Sequence, residues 1–221
     1  MNFRKKYLCN IVIGYLLTTV PLWATSTGLN NIPTADVVPE KILVFQFISD
    51  FANNETPDYT GGFKYGPAKN IEIGLDGKIF PEEGETENLV GQGKLRFELT
   101  KSLAVAGGIA NLGDHARSGR EFPFIVLSQD FGFIRAHFGG TVQKDNEGFF
   151  AGIDKTVSFF ERDLTLRSDI IQTNDQEDTT ESVGFLYDLG HNLLLESWVS
   201  FPSESGKEDV LTIKLNYVVK F

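Results

Sequence analysis

The sequence predicts an all-β protein, a single antiparallel barrel of about 12 strands that crosses a membrane and follows an N-terminal signal peptide. Three observations predict this fold. Apolar and polar residues alternate in many segments after residue 40, the connections between these segments alternate between short and long, and the chain ends in an alternating apolar run at Phe221. Alternation with period two indicates strands, because successive strand side chains point to opposite faces. We expect the barrel to occupy residues 41–221.

The first 24 residues have the features of a secretory signal peptide. A basic start at Arg4, Lys5 and Lys6 precedes an apolar stretch over residues 7–23, and Ala24 is a small residue suited to cleavage. Polar residues and a proline interrupt the apolar stretch, which disfavours a retained transmembrane helix. We therefore exclude residues 1–24 from the fold.

The composition excludes several kinds of chemistry for the mature chain. Removal of residues 1–24 leaves 221 − 24 = 197 residues without cysteine, so disulfides and thiolate chemistry are absent from the mature protein. The three basic residues of the signal leave with it, and the net charge becomes 17 − 30 = −13. This charge argues against a nucleic-acid partner. No pattern indicates a cofactor.

Residues 25–40 are predicted to be an extended lead-in to the first strand. Pro33, Pro39 and the pair Asn30-Asn31 disfavour a helix here. Two alternatives stay open: a free tail, or a partial plug inside the lumen.

Twelve alternating segments follow the lead-in. The predicted strands are 41–49, 59–66, 69–79, 88–100, 102–112, 122–130, 132–143, 147–158, 162–173, 180–188, 191–202 and 208–221. The connections after even-numbered strands are short, and those after odd-numbered strands are mostly longer and acidic. Outer-membrane barrels have short turns on one rim and longer loops on the other. Closure of the barrel removes the sheet edge, which a bilayer does not tolerate.

The polar faces of the strands supply candidate residues for the lumen wall. In the fourth strand Leu95 and Phe97 alternate with Lys94 and Arg96, and a membrane barrel turns the apolar face to lipid. The predicted lumen-lining residues are Lys64, Glu72, Asp76, Lys94, Arg96, Glu98, Arg135, His137, Asp154, Arg167, Asp169, Glu196 and Lys214. Lys94, Arg96, Arg135 and Arg167 form either a basic ladder for anionic solutes or one half of a set of ion pairs across the barrel.

The loops carry most of the net negative charge. They bind a divalent cation, repel anions from the mouth, or are simply solvated acidic loops. No loop has the spacing of a known calcium motif, so we expect no metal site.

An enzyme is the rival class of function. Hydrolysis needs a nucleophile beside a base, yet no serine lies next to His137 on the same face of its strand, and no G-x-S-x-G motif occurs. We expect His137 to be a polar residue of the lumen, and the protein not to be an enzyme.

The last strand resembles the closing strand of bacterial outer-membrane β-barrels of the porin-like kind. Leu215, Tyr217, Val219 and Phe221 form its apolar, aromatic face. The resemblance implies residence in the outer membrane, contact with its lipid, and recognition of this strand by the barrel-insertion machinery. Residues 28–39 are also similar to the G-L-x-x-x-P-T-A entry of some barrels from exopolysaccharide-secretion loci.

These observations predict a narrow porin-like channel for small polar solutes. Twelve strands lie between the ~8 that side chains fill and the 16–18 of wide aqueous channels. The first alternative is a non-conducting barrel that binds a partner or serves envelope or exopolysaccharide export. The second is an outer-membrane enzyme that modifies lipid.

Overall fold

The computed structural model describes residues 28–52, 56–80, 89–113, 121–143, 146–173 and 178–221, and the predicted signal peptide lies outside them. Twelve strands form one sheet. They are β1 (Ile42–Phe51), β2 (Asp58–Ala68), β3 (Ile71–Lys78), β4 (Leu89–Glu98), β5 (Leu103–Leu112), β6 (Phe122–Asp130), β7 (Arg135–Gln143), β8 (Asn146–Phe159), β9 (Arg162–Thr173), β10 (Asp178–Gly190), β11 (Leu193–Pro202) and β12 (Val210–Lys220). No helix among the described residues is long and apolar enough to cross a membrane.

The sheet closes into a barrel. Each strand pairs antiparallel with its neighbours in sequence, and β1 pairs with β12 in a ladder from Ile42↔Lys220 to Phe51↔Leu211. The main chain of Phe221 adds one bond at the seam, where its N–H donates to the carbonyl oxygen of Lys41 at 3.1 Å. The predicted all-β barrel of about 12 strands is therefore confirmed.

Some strands extend further than the alternation indicated. β1 runs to Phe51, β2 begins at Asp58 and β10 begins at Asp178, so Asp50 and Asp58 lie in strands although the predicted strands excluded them. Polar residues at a strand end give no signal when the strand extends past the membrane into water. β7 is shorter than predicted, because Phe131 closes a turn through its N–H to the carbonyl oxygen of Ile134 at 3.0 Å.

The two rims differ in their connections. At one rim, which we call the short-turn end, the gaps are brief, and two of them use paired left-handed residues, Phe160-Glu161 and His191-Asn192. Such pairs form tight hairpin turns that match the strand twist. The opposite rim, the long-loop end, contains the longer gaps, although Gln143 and Asn146 of β7 and β8 are also joined by a short connection.

The strand faces follow the alternation. Outward residues such as Phe97, Ile125 and Phe138 are about 60% exposed, while inward residues such as Val126 and His137 are buried. The outer wall is thus apolar and the inner wall mixed, which is the pattern of a barrel that contacts lipid. Most of the buried apolar residues form two clusters inside the barrel.

An added charge tests which face contacts lipid. Leu215→Arg places a guanidinium outward at the middle of β12, and we expect it to lower the free energy of unfolding by about 2–4 kcal/mol, as arginine does at the bilayer midplane. Urea titration of the protein refolded into lipid vesicles measures this loss. Ser205→Arg in the exposed loop after β11 is the control. Equal stability of the two variants would contradict a lipid-facing outer wall.

Candidate functional site in the barrel lumen

Residues 28–38, which we call the lumen segment, lie inside the barrel and not as a free tail. The chain passes Gly66 of β2 on its way into β1, where the N–H of Lys41 donates to the carbonyl oxygen of Gly66 at 2.8 Å. A side chain at position 66 would collide with the main chain of Val38 and Pro39, so a glycine is required at this entrance. From this entrance at the short-turn end, the segment runs backwards along the sequence into the lumen.

Three apolar side chains of the lumen segment pack against one side of the wall. Leu29, Ile32 and Ala35 are buried against inward residues of β5, β6 and β8. The wall residues of this cluster are Ala104, Ala106, Val126 and Phe150. Fully burying a leucine or isoleucine stabilises a fold by about 1.5–3 kcal/mol, so these contacts hold the segment strongly.

Gly152 of β8 provides space for these apolar side chains. A Cβ atom at this position would lie 2.9 Å from Cδ1 of Ile32 and would also overlap Leu29. Val38 forms a second apolar contact near the entrance, against Val44, Leu186, Leu194 and Val218. The segment is therefore fixed by apolar contacts at both of its ends.

The inner tip of the lumen segment is a tight turn held by Asp169 of β9. The N–H of Leu29 donates to the carbonyl oxygen of Ile32 at 2.9 Å and closes the turn. At its tip the N–H groups of Asn30 and Asn31 both donate to Oδ2 of Asp169, at 2.8 and 3.2 Å. Hydrogen bonds to an ionised carboxylate are stronger than neutral ones.

The asparagine side chains at the tip reach two serines of the wall. Nδ2 of Asn30 donates to Oγ of Ser182, which itself donates to Asp169 at 2.7 Å. Nδ2 of Asn31 donates to Oγ of Ser200 at 2.9 Å. The tip is thus bound through both main chain and side chains.

The main chain of the segment is also bound nearer the entrance. Glu72 accepts the N–H of Val38 at 2.8 Å. Nζ of Lys94 donates to the carbonyl oxygens of Thr34 at 3.1 Å and of Asp36 at 2.6 Å. Glu72 and Lys94 are directly opposed across β3 and β4. This charged pair therefore holds a donor and two acceptors of one extended chain.

A network around His137 binds the middle of the segment. The N–H of Ala35 donates to Oγ of Ser128, which lies 2.7 Å from Nδ1 of His137. Nε2 of His137 lies 2.9 Å from Oδ2 of Asp154. An ionised carboxylate only accepts, so Nε2 carries the proton, and in the neutral ring Nδ1 accepts the hydroxyl hydrogen of Ser128.

Arg135 connects this network to the segment's own carboxylate. Its Nη2 lies 2.7 Å from Asp154, and its Nη1 donates to Asp36 at 2.8 Å. The guanidinium therefore bridges one acid of the wall and one acid of the lumen segment.

A second charged cluster lies on the wall itself. Glu196 is completely buried and contacts Nη1 of Arg167 at 2.5 Å, Nζ of Lys214 at 3.1 Å and Nδ2 of Asn216 at 2.6 Å. Nε2 of Gln46 continues the cluster to Oδ1 of Asn216. One carboxylate here compensates two cations, which ties β9, β11 and β12 together.

The remaining predicted lumen residues are less enclosed. Lys64 and Asp76 are half-buried, and Nε2 of Gln92 donates to Oδ2 of Asp76 at 2.8 Å. Arg96 lies 3.8 Å from Glu98, which is exposed at the short-turn end. Lys64, Asp76 and Gln92, together with Asp50, form a polar strip on the inner faces of β1 to β4.

The expected pairing of wall bases with wall acids holds only for part of the wall. Arg135, Arg167 and Lys214 do contact wall carboxylates. Glu72 and Asp169 instead bind N–H groups of the lumen segment, and Lys94 binds its carbonyl oxygens. The acids and bases of the wall are divided between each other and the segment.

Sequence reasoning missed Ser128, Ser182 and Ser200 because each lies on a strand other than that of its partner. One signal for the lumen segment was present, since Leu29, Ile32 and Ala35 recur at intervals of three. An extended chain with three residues per turn places such residues on one side. That pattern differs from both the helical and the strand periods.

No metal centre is evident in the part of the chain that the structure describes, where no three His, Cys, Asp or Glu side chains are grouped to hold an ion. Most of the acidic loop residues lie outside it, so the alternatives for the loops stay predictions. At the C-terminus, Leu215, Tyr217 and Phe221 are outward and exposed, and Val219 is half-buried.

The barrel has the fold of porins of known structure. The "KdgM porin" matches with a TM-score of 0.61 at 9% identity, covering 79% of this chain and 98% of that chain. The "KdgM porin in complex with disordered oligogalacturonate" gives 0.63 at 10% identity, with the same coverage. The NanC porin gives 0.53 at 8% identity, covering 81% of this chain and 99% of that chain.

At these identities the likeness establishes the fold. No model of a known protein family matches the sequence, and no curated protein matches it. None of the three porin descriptions concerns exopolysaccharide export, so that resemblance of residues 28–39 stays a prediction.

The carboxylate of Asp169 is testable as the anchor of the tip. Asp169→Asn weakens two main-chain bonds to a charged acceptor, each worth about 1.5–3 kcal/mol. We expect amide hydrogen exchange at Asn30 and Asn31 to accelerate at least tenfold. Asp163→Asn, an exposed position of the same strand, is the control. Unchanged protection in Asp169→Asn would show that the apolar contacts alone hold the tip.

The buried carboxylate of Glu196 makes a separate prediction. Glu196→Gln leaves Arg167 and Lys214 without a counter-charge inside the wall, and we expect a loss of about 3–5 kcal/mol in the free energy of unfolding. Urea unfolding in vesicles measures it, with Glu98→Gln at the exposed rim as the control. A loss no greater than that of the control would mean that water in the lumen solvates both cations.

Proposed function

We propose that the protein is a narrow porin-like channel of the bacterial outer membrane that passes small polar solutes. The observation that carries this proposal is a closed barrel whose inner wall retains a half-buried polar strip beside the lumen segment. The apolar outer wall and the likeness of the fold to porins support the location.

The lumen segment covers the wall unevenly. Leu29, Ile32 and Ala35 lie on β5, β6 and β8, where the wall is apolar as well, and Val38 packs nearer the entrance. The strip of Lys64, Asp76, Gln92 and Asp50 lies on the other side and is only half-buried. Polar side chains that line a passage replace part of a solute's hydration, so this strip is the natural path for a polar solute.

The strip carries both signs of charge, as the predicted wall did. The four bases predicted as a possible ladder do not form a free row, since Lys94, Arg135 and Arg167 are committed to buried contacts and Arg96 lies beside Glu98. We infer that Lys64 and Asp76, rather than that ladder, determine selectivity.

A non-conducting barrel is the second candidate, and the presence of the lumen segment inside the barrel favours it. If the segment stays in place, the barrel is a rigid element for lipid or protein contact.

We further infer that the protein is not an enzyme, although Ser128, His137 and Asp154 form a serine–histidine–aspartate arrangement. Ser128 is 6% exposed, and its oxygen accepts the N–H of Ala35, so this hydroxyl serves to bind the lumen segment. These residues bind the segment.

Membrane insertion completes the proposal. Outward Leu215, Tyr217 and Phe221 on the last strand would contact lipid. They would also present the strand to the barrel-insertion machinery, as the resemblance of this strand implies.

Selectivity measurements test the channel. We expect discrete conductance steps in planar bilayers. We also expect Asp76→Lys to shift the reversal potential in a salt gradient towards anion preference, because charges along a narrow pore attract counter-ions. Glu161→Lys makes the same charge change in a turn at the short-turn end and is the control. Discrete conductance steps with an unchanged reversal potential in Asp76→Lys would mean that solutes do not pass along this strip. The absence of conductance steps would favour the non-conducting barrel.

A further inference from the structure

We infer that the lumen wall is a peptide-binding site, and that residues 28–38 are its ligand in cis and act as a detachable plug that narrows the passage. This inference rests on the proposed channel function. It goes beyond it by assigning the low-conductance state, which we call the closed state, to one segment and the recognition to named side chains of the wall.

The segment is bound through side chains of the wall. Every hydrogen bond described between residues 28–38 and the strands involves a side chain, and the first bridge from the chain to a strand comes at Glu40↔Gly66. Asp169, Glu72 and Ser128 accept main-chain N–H groups, and Lys94 donates to carbonyl oxygens. These contacts recognise the main chain of a peptide, as peptide-binding proteins do.

The seam of the barrel does not include the segment. The β1–β12 ladder begins at Ile42 and contains no residue of the plug. Departure of the plug therefore breaks side-chain contacts but leaves the sheet intact.

Departure of the plug would leave Asp169, Glu72, Lys94 and Arg135 facing a lumen open to water. Water would then replace the hydrogen bonds that these charged side chains lose.

The wall also fits the side chains of the segment. Gly152 leaves the space that Leu29 and Ile32 occupy, and a larger residue there would exclude them. Gly107 on β5 is the matched position, because it faces outward and its nearest atom is 3.8 Å from an added Cβ.

Bilayer recordings with four proteins test the inference. We expect a variant lacking residues 28–38, and Gly152→Leu, to conduct several-fold more than the wild type, and Gly107→Leu to behave as the wild type. A synthetic peptide of residues 28–38 added at the short-turn end should return the deletion variant to the wild-type level. A peptide of the same composition in scrambled order should not.

A reversible lock gives an independent readout. Leu29→Cys with Gly152→Cys places two thiols together in a mature chain that the predicted cleavage leaves without cysteine. We expect the oxidised protein to stay closed and a reductant to restore wild-type openings, while each single variant is insensitive to both.

The outcomes separate this inference from the channel itself. Equal conductance of the wild type and the deletion variant, or no effect of the peptide, overturns the plug and leaves the channel. No conductance in any variant, the deletion included, overturns the channel. If the deletion variant and Gly152→Leu both lack the heat-modifiable migration of a folded barrel, the segment is part of the folding core and the plug is likewise overturned.

Discussion

The structure depends on one constraint, the pairing of every backbone donor and acceptor within the wall. Lipid offers no hydrogen bonds, so a strand that crosses it must be paired on both sides and the sheet must close. Closure between β1 and β12 fixes which side chains face inward on every strand. The polar half of an alternating sequence is thereby enclosed, and the contents of the lumen follow from the need to satisfy it.

That need explains the lumen segment. Twelve strands enclose more space than the inward side chains fill. The enclosed acids Glu72 and Asp169 each accept main-chain N–H groups of the lumen segment. The segment contributes backbone donors and acceptors, which bind the charged side chains of the wall. It also contributes three apolar side chains, which cover the apolar wall residues of β5, β6 and β8. The wall and the segment are complementary in both chemistry and shape.

The sequence was sufficient to predict the strands of the wall and the faces of their side chains. It was insufficient to predict the contacts inside the lumen. Alternation through Leu95, Phe97 and Phe138 predicted the faces, because strand geometry is local and has a period of two. Nothing local relates Asn31 to Ser200, which are separated by 169 positions. The contact between Ser128 and His137 could not be predicted for the same reason, because these residues meet only when β6 and β7 pair in register. The polar faces predicted ion pairs across the barrel as one alternative but could not show that a lysine would bind carbonyl oxygens in place of an acid.

The position of the tip turn has a consequence for how the molecule assembles. Asn30 and Asn31 precede every strand in the chain, yet their partners lie on β9, β10 and β11. Contacts between distant parts of a chain form late, because the loop entropy must be lost before they are made. Residues that precede every strand are thus among the last to dock. The segment stays undocked for almost the whole of folding, because its partners on β9, β10 and β11 must form first.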